Sequence, residues 1–484
     1  MAVSVQSPTR ARTTGHRTRK STSSVSVAPV SGPQPIDSSI IHQPNDLSSV
    51  PSLLSTILTQ GIAAVSSPSD DATRLALLSS ARALVLALEK PRETMIRQCW
   101  ADTTCFAALS IGVDTGVWAY LGQDDRPKTV REIAKHTGFE EAYLGRLLMH
   151  VAAMGHIVEV GKDEYKPTNF CKALGIDRLG VAYPLFTGPG NTGGVFRCIA
   201  SFPSYLKSTN LTTPTSITNS NTQFAFNTTK NFFELCHDPA YAPMGAQFNT
   251  HMGSYAFGRP TWVDEDFYPV EEHLLEGFDG EDETAVLLVD IGGSIGHDLQ
   301  KFRDVFPEAK GRLVLQDLEP VVAQVKEGEL AESIERMAYD FLTEQPVKGA
   351  RAYYMHSVLH DWPDKQCIPI LENVKAAMKP GYSRLLINEN VIPDVGANWE
   401  STSLDVMMSC LVSAKERTKD EWVQLLERDA GLKITGFYPV GNGVESIIEC
   451  ELPTEESELP KEESESSTEE CTCGAPVITV AGVL

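Results

Sequence analysis

Apolar residues in the second half of this chain come in short unbroken runs. Ala285-Val-Leu-Leu-Val-Asp290, Leu313-Val-Leu-Gln316, Ala352-Tyr-Tyr-Met355 and Leu385-Leu-Ile-Asn388 have the length and composition of strands buried on both faces, as in a parallel sheet covered by helices. Residues 297–306 carry apolar positions at helical spacing between the first two runs. Strand, helix and strand in succession predict an α/β domain, and in an open sheet of that kind ligands bind beyond the carboxyl ends of the strands.

The first half reads differently. Residues 75–90 have helical periodicity, and 103–121 form a mostly apolar helix suited to burial between subunits. Residues 129–138, 140–154 and then 155–161 with Tyr165 predict helix, turn, helix and a small β-wing. The stretch 184–230 is rich in Gly, Ser, Thr, Asn and Pro with sparse apolar anchors, so it reads as an irregular excursion near a pocket mouth. Residues 231–278 turn helical again, where Phe248, Met252, Phe257, Trp262 and Phe267 offer surface that could grip a flat aromatic molecule.

At 484 residues the chain predicts two folded domains with tails. The tails are 1–50, rich in Ser, Thr and Pro, and 453–484, entered through a Glu-rich stretch that repels itself. The first twenty residues hold Arg10, Arg12, Arg17, Arg19 and Lys20 with no acid. That overlaps with a transit peptide, but the apolar helical face is missing and a solvated tail is expected. The net charge of −23 opposes nucleic acid and anionic membranes. A winged-helix pattern raises a DNA-binding reading, yet its second helix carries only Arg146 and His150 as cations, too few for phosphate contacts. No run of 18 apolar residues predicts a membrane span. Ten scattered cysteines suit reduced thiols in the cytoplasm better than a disulfide framework, and no zinc or calcium ligand set is evident.

Candidate chemistry gathers at the predicted strand ends. Ile291-Gly-Gly-Ser-Ile-Gly296 follows the first strand; glycines there let a ligand approach the backbone, and the helix start supplies free N–H groups. Asp317 at the tip of the second strand is placed to accept from the two hydroxyls of a ribose. Dinucleotide enzymes and nucleoside-binding methyltransferases share these two features. His360 follows the third strand in a turn completed by Asp361-Trp362-Pro363, and Glu389 ends the fourth. Adjacent parallel strands would bring the two together as a general base and the carboxylate that orients it.

Five blocks in order, V-D-I-G-G-S-I-G (289–296), L-Q-D-L-E-P-V-V (315–322), Y-D-F (339–341), M-H-S-V-L-H-D-W-P-D (355–364) with I-N-E (387–389), and A-K-E-R-T (414–418), resemble the plant caffeate and flavonoid O-methyltransferases and their fungal polyketide relatives. The likeness spans about residues 81–451. It implies a Rossmann-like seven-stranded methyltransferase domain (279–452) that binds S-adenosylmethionine, substrate-pocket helices within 181–278, and a helical winged-helix dimerisation domain (51–180) in a homodimer. By resemblance Gly292 and Gly293 would lie against the methionine part of the cofactor and Asp317 on its ribose. Asp340 and Phe341 would frame the adenine, and His356 stands where relatives place Lys or Arg near the cofactor. His360 matches the catalytic base, Glu389 and Glu416 the acids flanking it, and Phe248 and Met252 the pocket lining. Ser294 departs from the pattern, which prefers a third glycine.

The chemistry accounts for these residue types. An aromatic hydroxyl of pKa about 10 attacks a sulfonium methyl poorly until it loses its proton, which a neutral imidazole can take. The scheme needs no metal. The same fold without methyl transfer, as in a pericyclase or decarboxylase that retains the cofactor as an electrostatic element, is the alternative reading. A nicotinamide dehydrogenase and a winged-helix regulator are further ones.

Overall fold

The computed structural model describes residues 36–190, 192–253, 258–265, 267–440 and 445–453. Residues 1–35 and 454–484 of the expected tails, and Phe257, lie outside the described residues. The described part of the first tail is not free chain. Asp37 caps a short turn at Ser38–His42, and Asn45 Nδ2 donates to the Leu86 carbonyl at 2.8 Å. Helices Val50–Ser66 and Asp71–Leu88 then pack on each other as a hairpin.

The expected apolar helix over 103–121 breaks into Thr103–Asp114 and Val117–Leu121 at Gly116, whose φ of 73° is a left-handed conformation that glycine adopts without strain. Its apolar residues Cys105, Leu109, Val117 and Trp118 are buried within this same chain, so that packing needs no second subunit. β1 (Lys128–Thr129), β2 (Ile157–Gly161) and β3 (Glu164–Pro167) make an antiparallel sheet in the order β1-β3-β2. Between β1 and β2 run helices Val130–Thr137, opened by a Thr129/Glu132 capping box, and Glu141–Ala153. Ile133, Leu144, Leu148 and Tyr165 close one core over this helix, turn, helix and hairpin.

Residues 184–230 are not irregular. They contain helices Gly194–Ser208 and Asn221–Phe226, and Ala182–Thr187 leads into them. The polar residues that read as loop formers are caps and anchors: Ser220 and Gln223 close a capping box. Buried Asn221 and Thr222 donate to the Cys410 and Leu411 carbonyls at 3.0 and 2.7 Å, near the end of helix Trp399–Val412.

The second half forms the sheet predicted. β4 (Val286–Ile291), β5 (Arg312–Asp317), β6 (Ile334–Ala338), β7 (Ala352–His356) and β8 (Arg384–Ile392) are parallel, and β10 (Lys433–Pro439) and β11 (Glu445–Glu451) continue it antiparallel. The order is β10-β11-β8-β7-β4-β5-β6, seven strands, with the two-residue β9 (Arg417–Thr418) added beside β8. Every residue of β4 is buried. Tyr353, Met355, Leu385 and Ile387 face a core shared with Trp422, while Tyr354 and Leu386 face one shared with Trp262 and Phe302. Trp262 and Phe267 are therefore core residues and not substrate surface. The chain leaves β4 in one direction toward β5 and β6, and β7 returns on its other side. The crevice at this reversal lies beyond the ends of β4 and β7.

Candidate active site

His360 lies in a single helical turn, Leu359–Asp361, directly after β7, and it is buried. Its Nδ1 is 2.7 Å from Glu416 Oε1, which fixes the ring and leaves Nε2 as the nitrogen available to a substrate. Asp361 Oδ1 is the carboxylate oxygen near it, at 3.8 Å. Glu416 is itself held: its Oε2 accepts from Asn390 Nδ2 at 3.0 Å, and its N–H donates to Asp405 at 3.0 Å.

Glu389 corrects one expectation. Its carboxylate does not bond to the imidazole. It accepts the backbone N–H groups of Val358, Leu359 and His360 at 3.0, 2.6 and 3.1 Å. The acid that orients the ring is Glu416, and Glu389 anchors the turn beneath it. Atoms of His360, Glu389 and Glu416 lie within 4.8 Å of one another, a spacing a metal ion could use; hydrogen bonds already engage all three.

Burial opposes charge on the imidazole, but Glu389, Asp361 and Glu416 together outweigh it and lift the group to about 10. Burial lifts the Asp361 carboxyl to about 7 against the pull of His360, and raises Glu389 as well. The carboxylates around the ring thus favour the imidazolium form of His360.

The turn after β4 forms the other wall. Gly292 has φ 74°, and a Cβ there would come 2.9 Å from Val358. A Cβ on Gly293 would overlap the Asp290 carboxylate and Leu315. Ser294 takes φ 53° and donates its N–H to Asp317 at 2.8 Å; Leu318 N–H donates to the other Asp317 oxygen at 2.7 Å. Burial raises the Asp317 carboxyl despite these bonds. Asp340 is exposed and accepts from Leu342 N–H, and the Phe341 ring meets Trp362 edge-on at 5.8 Å. His356 is held between Asp298, 2.7 Å from its Nδ1, and Glu445, 3.5 Å from its Nε2.

A narrow cavity of about 10 Å³ touches Asp361 and Trp362, and Phe233, Leu411 and Val412 are among its other walls. Phe233 stacks on Trp362 at 6.2 Å. Phe248 packs edge-on against Phe232 and Phe233, so it backs a lining residue; neither it nor Met252 lines this cavity.

A model of the O-methyltransferase domain matches residues 263–433. O-methyltransferase mpaG of Penicillium brevicompactum is 33% identical over 401 residues, 79% of this chain and 94% of that one. Demethylsterigmatocystin 6-O-methyltransferase of Aspergillus parasiticus (strain ATCC 56775 / NRRL 5862 / SRRC 143 / SU-1) is 36% identical over 333 residues, 68% of this chain and 80% of that one. The chain belongs to the O-methyltransferase family. Among solved structures this O-methyltransferase resembles LepI in complex with SAM, with TM-score 0.74 and 27% identity over 84% of this chain and all of that one. A structure described as a pericyclic reaction enzyme matches with TM-score 0.74 at 28% identity over the same shares.

Asp290 tests the fit to a cofactor. Both its carboxylate oxygens are buried without a hydrogen-bond partner among the described residues, and burial and Asp298 hold its carboxyl well above the ordinary range. Such a group beside a glycine turn calls for a donor or a cation, which the ammonium and sulfonium of S-adenosylmethionine supply. Sequence reasoning about this O-methyltransferase passed over Asp290, Asp361, Asn390 and Arg417. Each adjoins a residue it did single out, but only tertiary contacts show where the side chains go.

Proposed function

We propose that this protein transfers the methyl group of S-adenosyl-L-methionine to a hydroxyl of an aromatic, polyketide-type metabolite, with His360 as the proton acceptor. The observation that carries the reading is the His360–Glu416 pair at 2.7 Å, one turn beyond β7 and next to the cavity walled by Trp362 and Phe233. Gly292, Gly293 and Asp290 would hold the methionine part of the cofactor, Asp317 the ribose, and Asp340 with Phe341 the adenine. His356 adjoins the cofactor side through Asp298. The cofactor supplies an electrophilic methyl group. The protein's residues do the rest: Trp362 and Phe233 orient a flat ring, and Glu416 fixes the tautomer of His360. Nε2 takes the hydroxyl proton once the site has released its own to solvent. Because the imidazole is lifted to about 10, close to an ordinary phenol, proton sharing between them is nearly balanced.

The reading includes a homodimer and a cytoplasmic location. Leu58, Ile62 and Val65 stand exposed on the first helix of the amino-terminal hairpin, as do Val85 and Leu86 on the second, which suits burial against a second copy. Eight cysteines among the described residues are free, and none of the described helices is long and apolar enough to cross a membrane.

Incubation with deuteriomethyl-labelled cofactor and a fungal metabolite extract tests the reaction. A product gaining one labelled methyl on oxygen is expected. An isomerised or decarboxylated product without label would favour the second reading, a non-methylating use of the fold, which the likeness to the pericyclic reaction enzyme supports.

A further inference from the structure

Arg417 is completely buried, and a guanidinium is retained out of water only where its donors are answered. Its Nη1 donates to the Leu359 carbonyl at 3.0 Å and its Nη2 to the Trp362 carbonyl at 2.9 Å. Nε donates to Asp364 at 3.0 Å, and the guanidinium lies 5.0 Å over the Trp422 ring. The two carbonyls belong to the residues on either side of the His360-Asp361 pair. Glu389 takes the N–H groups of Val358, Leu359 and His360. The turn that carries the base is therefore gripped by a carboxylate on its donors and by a guanidinium on its acceptors.

Both grips come from one frame. β9 pairs with β8, with Arg417 opposite Val391, two residues beyond Glu389. Glu416, which precedes Arg417, reaches the imidazole. The dipeptide Glu416-Arg417 thus holds the ring and the backbone under it.

We propose that Arg417 is a positioning residue of the methyl transfer: its hold on the Leu359 and Trp362 carbonyls sets where the His360 imidazole stands relative to Glu416 and the acceptor. The proposal rests on the reading of His360 as the base, and the experiment separates the two. Arg417→Lys in the full chain retains the charge but cannot reproduce the planar fork that spans two carbonyls. Activity is normalised to the S-adenosylhomocysteine binding stoichiometry, so that only folded sites count. The expected result is a fall in kcat of about 10- to 100-fold, as for a displaced reacting group. KM for the acceptor and Kd for S-adenosylhomocysteine stay within about twofold, since Arg417 is proposed to position the base and not to bind either ligand. The acid limb of the kcat/KM profile stays in place because the buried charge is conserved.

A purely structural Arg417 would lower the melting temperature and leave kcat per binding site unchanged, which would overturn the proposal. Where the Lys variant does not fold, Asp364→Asn decides. Asp364 is partly exposed, at 46%, and its neutralisation loosens Arg417 together with a half-exposed bridge to Lys415, for an expected fall of about 3- to 10-fold in kcat. Unchanged kcat in that variant would equally overturn the proposal. Full activity of His360→Ala overturns the base reading; inactive His360→Ala beside fully active Arg417→Lys overturns the role of Arg417 only.

Discussion

The turn after β7 and the turn after β4 stand at the same sheet edge and are built by opposite means. The β7 turn is held by side chains distant in sequence, Glu389, Glu416 and Arg417, each buried and each ending on a named atom of residues 358–362. The β4 turn is held by backbone conformation: Gly292 at φ 74°, Ser294 at φ 53°, Gly296 at φ 88°, and N–H groups returned to the Gln316 carbonyl and Asp317. A turn built from buried charges places a titrating group and sets its proton affinity. A turn built from backbone shape lets a ligand approach the main chain closely. Substitutions in the first are expected to act on the chemical step and its pH dependence, and in the second on cofactor affinity and stability.

The largest effect belongs to His360→Ala. Loss of a general base lowers kcat by about 10² to 10⁴, while calorimetric affinity for S-adenosylhomocysteine persists because the β4 turn is untouched. Full turnover of this variant at neutral pH with a phenol of ordinary pKa would remove the base from the mechanism. Asp317→Ala tests the opposite half. Bonds from two ribose hydroxyls to a charged acceptor are lost, so cofactor binding weakens by about 2–3 kcal/mol with kcat at saturation little changed. Equal Kd values for variant and parent would show that Asp317 serves only the Ser294 and Leu318 N–H groups.

The pH profile sharpens the contrast. His360 must shed a proton before it can accept one, and its three carboxylate neighbours lift it to about 10. From neutral pH upward, kcat/KM is then expected to rise about tenfold per unit until it levels near pH 10, since the active fraction grows with loss of one proton. A flat profile in that range would mean the imidazole is already neutral at rest. Stability runs the other way. The folded-state value lies above the ordinary 6.5, so the native state binds the proton more tightly. The contribution of His360 is fully present below about 6.5 and is lost as pH rises through about 10.

The two turns also differed in how far the sequence revealed them. The unbroken apolar runs ending in Asp290 and Met355 marked β4 and β7 because strands buried on both faces leave that trace, and the glycines marked the cofactor turn. The partner of the imidazole was harder to see. Glu389 is nearest along adjacent strands, yet its carboxylate turns to the backbone. Glu416, 56 residues from His360, takes the ring, and only resemblance singled it out. Arg417 sat in the same block with no periodicity to show its two carbonyl targets. Residues 184–230 misled for a related reason: Asn221, Thr222 and Ser220 have loop composition but are buried as anchors and caps, which depends on where helix Trp399–Val412 ends.

The smallest predicted effect separates the turns most cleanly. Ser294 holds a left-handed conformation at φ 53°, which costs a residue with a Cβ roughly 1–2 kcal/mol. Glycine removes that strain but gains freedom in the unfolded chain worth roughly 0.5–1 kcal/mol in the other direction. Its N–H, the donor to Asp317, is retained. Ser294→Gly should therefore stabilise the protein by roughly 0.5–1 kcal/mol in denaturant unfolding, with kcat and its pH profile unchanged, because nothing in the His360 turn depends on that hydroxyl. A loss of stability would mean the serine side chain contributes more than its backbone costs. A changed pH profile would break the division between the two turns, since a substitution in backbone shape would then have reached the charges around His360.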